Sequence, residues 1–185
     1  MTTTKWRIVL GSLAVLFYAA HTAYHAHNHE AFNMLWACHL GCLLVGLGLL
    51  LARPLLFSTG FMWLTLGVPL WIFTLLGGEE FIVTSALTHA GGLTVALAGF
   101  RYLPIARGAW ISGVSGLFLV AVLSRFTTPA AANVNLAHRV YDGWEQTFPS
   151  HTLYAAMFLA IAAVEFFVME RAVRWVLVRR KRHDG

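Results

Sequence analysis

AFNMLWACHLGCLLVGLGLLL, residues 31–51, carries no Asp, Glu, Lys or Arg. At about 1.5 Å per residue such a run reaches across the ~30 Å hydrocarbon core of a bilayer. In lipid a spanning segment must satisfy its own backbone groups, so the stretch reads as a membrane helix. Working outward, five more apolar runs appear at residues 6–24, 55–76, 81–100, 109–123 and 152–178; the fifth of the six spans is short and the last is long. The composition agrees, with 58% hydrophobic and only 11% charged residues and a mean hydropathy of +0.68, too apolar for a soluble domain. The expected fold is all-α, a single polytopic membrane bundle of six transmembrane helices filling residues 1–185, with a long connection at 124–150.

Basic residues orient the bundle. Six spans put both termini on one side, and eleven of the thirteen Lys and Arg fall there; only Arg125 and Arg139 fall on the other. Cytoplasmic termini follow from the positive-inside rule, and the +5 net charge reads as a topology signal and an anchor to anionic lipid. The VRRKRHDG tail is read as solvated and membrane-flanking, with no nucleic acid as partner. Lys5 and Arg7 before an apolar core give the first span the look of a secretory signal, but it is read as a retained span.

The histidines are as lopsided as the arginines. His21, His25, His27, His29, His39, His89, His138 and His151 fall in the outer half, and only His183 lies at the inner side. His39 and His89 are expected about two turns below the outer surface on separate spans, at one level. Ionisable groups at such depth are costly unless they face protein or a polar cavity, which makes them functional candidates.

Three chemistries compete. In the first, Cys38 is a nucleophile served by His89 and His39, since a thiol needs a neighbouring base before it attacks an acyl group; Cys38 and Cys42, one turn apart, are poorly placed for a disulfide. In the second, His21 and His25 at i, i+4 hold zinc, copper or iron, with His27, His29 and Glu30 close by. A related form has haem between His39 and His89. The third is solvation or proton relay, in which Glu165 inside the last span shares a face with His151.

The order LWACHLGCLLVGLGLL, FMWLTLGVPLW, SALTHAGGL, YLPIARGAW, then TTP and NVN before an aromatic last span resembles the bacterial YwaF-like integral membrane proteins, over roughly residues 33–175. That family is related to eukaryotic membrane acyltransferases that use a Cys and a His on separate spans. The resemblance implies a bacterial cytoplasmic membrane protein whose cysteine falls on Cys38, or one turn on at Cys42, and whose histidine falls on His89. Asn133 and Asn135 match the asparagines before the last span. The sequence departs from the pattern in reading CHL where HLC is expected, and in carrying HTAYHAHNHE on the first span.

The expected activity is acyl transfer or hydrolysis on membrane lipids at an outward-facing site, with no cofactor. Cys38 takes the acyl group, His89 acts as base, and His39, Ser85 or Asn135 steadies the oxyanion. The alternative is a histidine-ligated metal or haem protein. The third class is a non-catalytic subunit or oligomer docking through Tyr141, Trp144 and Phe148 of the outer loop.

Overall fold

A computed structural model describes residues 3–183. Residues 184–185 and the side chains of Val178 and of residues 180–183, which hold most of the basic tail, lie outside the described residues. The elements are α1 (Thr3–His27), a 3-10 turn (Ala31–Leu35), α2 (Ala37–Leu50), α3 (Pro54–Leu76), a bipartite helix α4 over residues 83–99, α5 (Ala109–Thr127), two short 3-10 turns and α6 (His151–His183). No strand occurs among the described residues. Among the described residues four helices, α1, α3, α5 and α6, are long and apolar enough to cross a membrane.

Helix α2 departs from the expected span. It has 14 residues, about 21 Å of rise, because the chain leaves helical space at Trp36 (φ −56°, ψ 132°). Asn135 caps the new start: its Oδ1 accepts the Ala37 N–H at 2.8 Å, and its Nδ2 donates to the Leu35 carbonyl at 2.7 Å and to Ser124 Oγ at 2.9 Å. Cys38 and His39 thus sit in the first turn of α2, not two turns below its start.

Small residues set how closely the helices pack. A Cβ on Gly48 would lie 2.4 Å from the Phe57 nitrogen, one on Gly60 2.5 Å from the Gly41 carbonyl oxygen, and one on Gly67 2.3 Å from Cys38 Cβ. The α2 and α3 backbones therefore touch along their length, as small-residue stripes allow where lipid supplies no hydrophobic drive. Phe57, Phe61, Met62, Leu64, Leu49 and Phe166 are fully buried in the core of the bundle. Leu16, Phe73, Leu119 and Val164 stand more than half exposed on the outside, a surface suited to lipid.

Three helices end with the same device. Glu30 N–H bonds back to the His25 carbonyl and His29 N–H to Ala26; Arg53 and Ala52 do so to Gly48 and Leu49, and Glu79 and Gly78 to Thr74 and Leu75. This paired arrangement requires a left-handed residue, supplied by His29 (φ 59°), Ala52 (φ 52°) and Gly78 (φ 97°). The first of these folds Glu30 back over His25.

At the opposite end of the bundle, buried Glu170 accepts the Gly108 and Trp110 N–H groups at 3.2 Å each, capping α5, and pairs with Arg174 at 3.5 Å. Arg7 donates to the Leu49 carbonyl, and to that of Leu50 at 3.2 Å, closing the C-terminus of α2. Segment 128–150 is also tied down. Arg125 donates to the Ala137 and His138 carbonyls, and His151 Nε2 bonds to the Leu136 carbonyl at 2.8 Å. Phe148 is buried in a small cluster with Val140 and Tyr154, so of the three aromatics expected to form a docking face only Tyr141 and Trp144 are exposed.

Candidate metal centre

Four imidazoles from three helices meet at the end of the bundle where α1 stops and α2 and α4 begin. His21 and His25, one turn apart on α1, point into the bundle and are 1% and 7% exposed; His39 is 6% exposed and His89 3%. Ring centroids run His21 to His25 at 4.5 Å, His21 to His39 at 4.5 Å and His39 to His89 at 5.2 Å. Trp71 of α3 stacks on His89 at 5.2 Å, with planes 6° apart, and closes the far side.

Helix α4 is shaped for this. It runs Val83–Ala86, then a π-helical turn at Leu87–Gly91, then Gly92–Gly99. Such one-residue insertions turn a side chain off its α-helical bearing and recur at functional sites. Here the inserted turn carries His89, whose Nδ1 bonds to the Ser85 carbonyl at 2.9 Å with Ser85 Oγ at 3.3 Å. Gly91 and Gly92 let α1 and α2 approach: added Cβ atoms would lie 2.8 Å from the Phe17 ring and 2.9 Å from Cys42 Sγ.

The hydrogen bonds fix which nitrogen is free on two of the four rings. His39 Nδ1 lies 2.9 Å from the Asn33 carbonyl in the 3-10 turn, and His89 Nδ1 faces the Ser85 carbonyl. A carbonyl only accepts, so both Nδ1 atoms carry the hydrogen and each neutral ring keeps its lone pair on Nε2. His21 Nδ1 lies 3.0 Å from Thr84 Oγ1, a hydroxyl that can donate or accept. Ordering Nδ1 through an oxygen acceptor is how proteins orient metal-binding imidazoles. His25 differs. Its buried Nδ1 has no hydrogen-bond partner; a Glu30 carboxylate oxygen lies 3.4 Å away, longer than an ordinary N–H···O bond.

Two groups of donor atoms are mutually close. The ligating atoms of His21, His25 and His39 all lie within 4.8 Å of one another, as do those of Cys38, His39 and His89. Tetrahedral bonds of about 2.0–2.1 Å put ligand atoms roughly 3.3 Å apart, so closing either triad needs side-chain shifts of about an ångström. The edge-to-face contact of His39 with His89 leaves no width for a porphyrin between them.

The cluster differs from the metal set expected from sequence. His27 and His29 are exposed and lie in neither triad; His39 takes their place beside His21 and His25. Of the acyl-transfer set, Cys38, His39, His89 and Ser85 come together, whereas both N–H donors of Asn135 are spent on the cap, leaving none for an oxyanion. Cys42 is buried, and its thiol donates to the Ala14 carbonyl at 3.3 Å, away from the histidines. Glu165 lies partly buried on α6, outside both triads. The contribution of Thr84 and Asn33 was invisible in the sequence, since a hydroxyl and a backbone carbonyl carry no motif. No protein-family model, no curated protein and no solved structure matches this chain.

Proposed function

We propose that this chain is a membrane metal-binding protein that holds a transition-metal ion among His21, His25, His39, His89 and Cys38. One observation carries the reading: His21, His25, His39, His89 and Cys38, drawn from three helices, fall into two donor triads that share His39, with the ligating atoms of each triad within 4.8 Å of one another. An unpaired buried polar group costs about 1–3 kcal/mol, and His25 Nδ1, the one buried side-chain N or O atom without a hydrogen-bond partner among the described residues, lies in this cluster, where a bound ion would satisfy it. Imidazole suits zinc, copper or iron.

The same reading takes the bundle as six spans in a bacterial cytoplasmic membrane. Its termini are cytoplasmic and the histidine end faces outward. The arginine distribution supports this, and Arg7, Arg53, Arg171 and Arg174 gather at the end opposite the histidines.

Elemental analysis of the detergent-purified protein, equilibrated with zinc, copper or iron and then desalted, tests the proposal. One ion per chain is expected, lost in His39→Ala and kept in His27→Ala. Wild type that stays metal-free, or that matches His39→Ala, would sink it.

Lipid acyl transfer is the second reading, and one observation favours it: Cys38, only half buried, lies in the same triad as His39 and His89. A base beside a thiol is the arrangement a thioester intermediate needs. Trapping an acyl-thioester that disappears in Cys38→Ala would support it, and a metal-dependent, acyl-free Cys38 would exclude it.

A further inference from the structure

The two triads share His39, and one imidazole nitrogen binds one ion at a time. We infer that they are successive stations for a single monovalent copper ion, which enters at His21, His25 and His39 and comes to rest at Cys38, His39 and His89. The inference rests on the metal-binding reading above.

Charge separates the stations. The entry triad is all imidazole, so copper(I) there leaves one net positive charge; beside it the half-exposed Glu30 carboxylate lies 3.4 Å from His25, where it offsets that charge at the mouth. The resting triad contains a thiol. With Cys38 as thiolate, copper(I) and two neutral imidazoles sum to zero, while zinc(II) would leave a net positive charge among apolar helices. Buried uncompensated charge is expensive, above all in a membrane. Two histidines and a cysteine in trigonal array also form a donor set suited to copper, and thiolate selects the monovalent ion. Cys38 is in the first turn of α2, where unpaired N–H groups and the positive end of the helix dipole favour an anionic ligand.

The exchange balances without an oxidant or reductant. The bonds from copper to His21 and His25 break, and bonds to Cys38 Sγ and His89 Nε2 form, while the bond to His39 is kept. The thiol proton passes to an imidazole the ion has left and from there to water at the mouth. The oxidation state does not change. His25 fits an entry role because it alone of the four has an unpartnered buried Nδ1, whereas His89 is locked between Ser85 and Trp71.

The test uses the full-length protein in detergent under anaerobic conditions. Copper(I) is supplied from a chromophoric chelator, whose colour change gives stoichiometry and loading rate, and X-ray absorption at the copper edge reports the ligands. Wild type should take one ion with one sulfur and two nitrogen neighbours. Cys38→Ser should still take one ion, more weakly and with nitrogen neighbours only. His25→Ala should reach the wild-type ligand set about tenfold more slowly, the low end of what losing a metal-site partner costs. One ion bound by nitrogen alone in wild type would overturn the handover while leaving the metal-binding reading intact. Two ions per chain, or unchanged loading in His25→Ala, would also overturn it. No copper or other metal bound at all would defeat the underlying reading itself. Circular dichroism of each variant separates lost binding from lost fold.

Discussion

The two ends of the bundle both bury polar side chains, and they do it in opposite ways. At the arginine end the account closes within the chain: Glu170 accepts two helix-start N–H groups and faces Arg174, and Arg7 covers the carbonyls that α2 leaves open. At the histidine end it does not close. Three imidazoles spend Nδ1 on Thr84, Asn33 and Ser85, and His25 leaves a buried nitrogen unpaired. A satisfied buried network rigidifies a fold, whereas a half-satisfied one marks a place where something else is meant to bind.

That contrast can be broken at either end, and the sizes of the effects should differ. Glu170→Ala leaves the Gly108 and Trp110 N–H groups unpaired, which at about 1–3 kcal/mol apiece makes a loss of roughly 2–6 kcal/mol in stability. Unfolding in detergent would show it, and metal loading below the transition should be unchanged. His39→Ala works the other way. It should lower metal affinity at least a hundredfold, about 2.7 kcal/mol, with a smaller effect on unfolding of the metal-free protein. If the two variants instead produced the same pattern, the two ends would not differ in kind.

Gly67→Ala probes the boundary between packing and site. The new methyl would meet Cys38 Cβ at 2.3 Å, so α2 and α3 must part, at a cost of about 1–3 kcal/mol, and Cys38 must move. Stability and any sulfur contribution to the metal spectrum should fall together; loss of stability alone would detach Cys38 from the site. The smallest effect is expected at His29, exposed and left-handed at φ 59°. Glycine relieves that conformation, so His29→Gly should stabilise the metal-free protein by about 1 kcal/mol, the low end of the cost of a left-handed non-glycine residue, and leave metal content unchanged. A drop in bound metal would return His29 to the ligand set.

Much of the element order was legible in the sequence, because an apolar run free of charge has few alternatives to a helix. The run at residues 55–76 matches α3 at Pro54–Leu76, and the run at 81–100 contains α4. The break at Trp36 was not legible, since the residue that makes it possible, Asn135, lies 98 positions from the Ala37 it caps. The π-helical turn at Leu87–Gly91 was hidden as well, because SALTHAGGL reads as ordinary helix. The pairing of Ser85 with His89 was predictable from i, i+4 spacing alone, and the structure has it.

The sequence by itself determined that the chain would be helical and apolar, with histidines gathered toward one end and arginines toward the other; these follow from composition and position along each run, which no packing alters. Only the tertiary structure decided which histidines meet. A helix presents a side chain every 100° or so, and whether His21 and His25 face His39, or His27 and His29 face anything, depends on how α1, α2 and α4 are rotated against one another. That rotation is set by the glycine contacts, the Asn135 cap and the extra residue in α4, long-range terms that a linear pattern does not record.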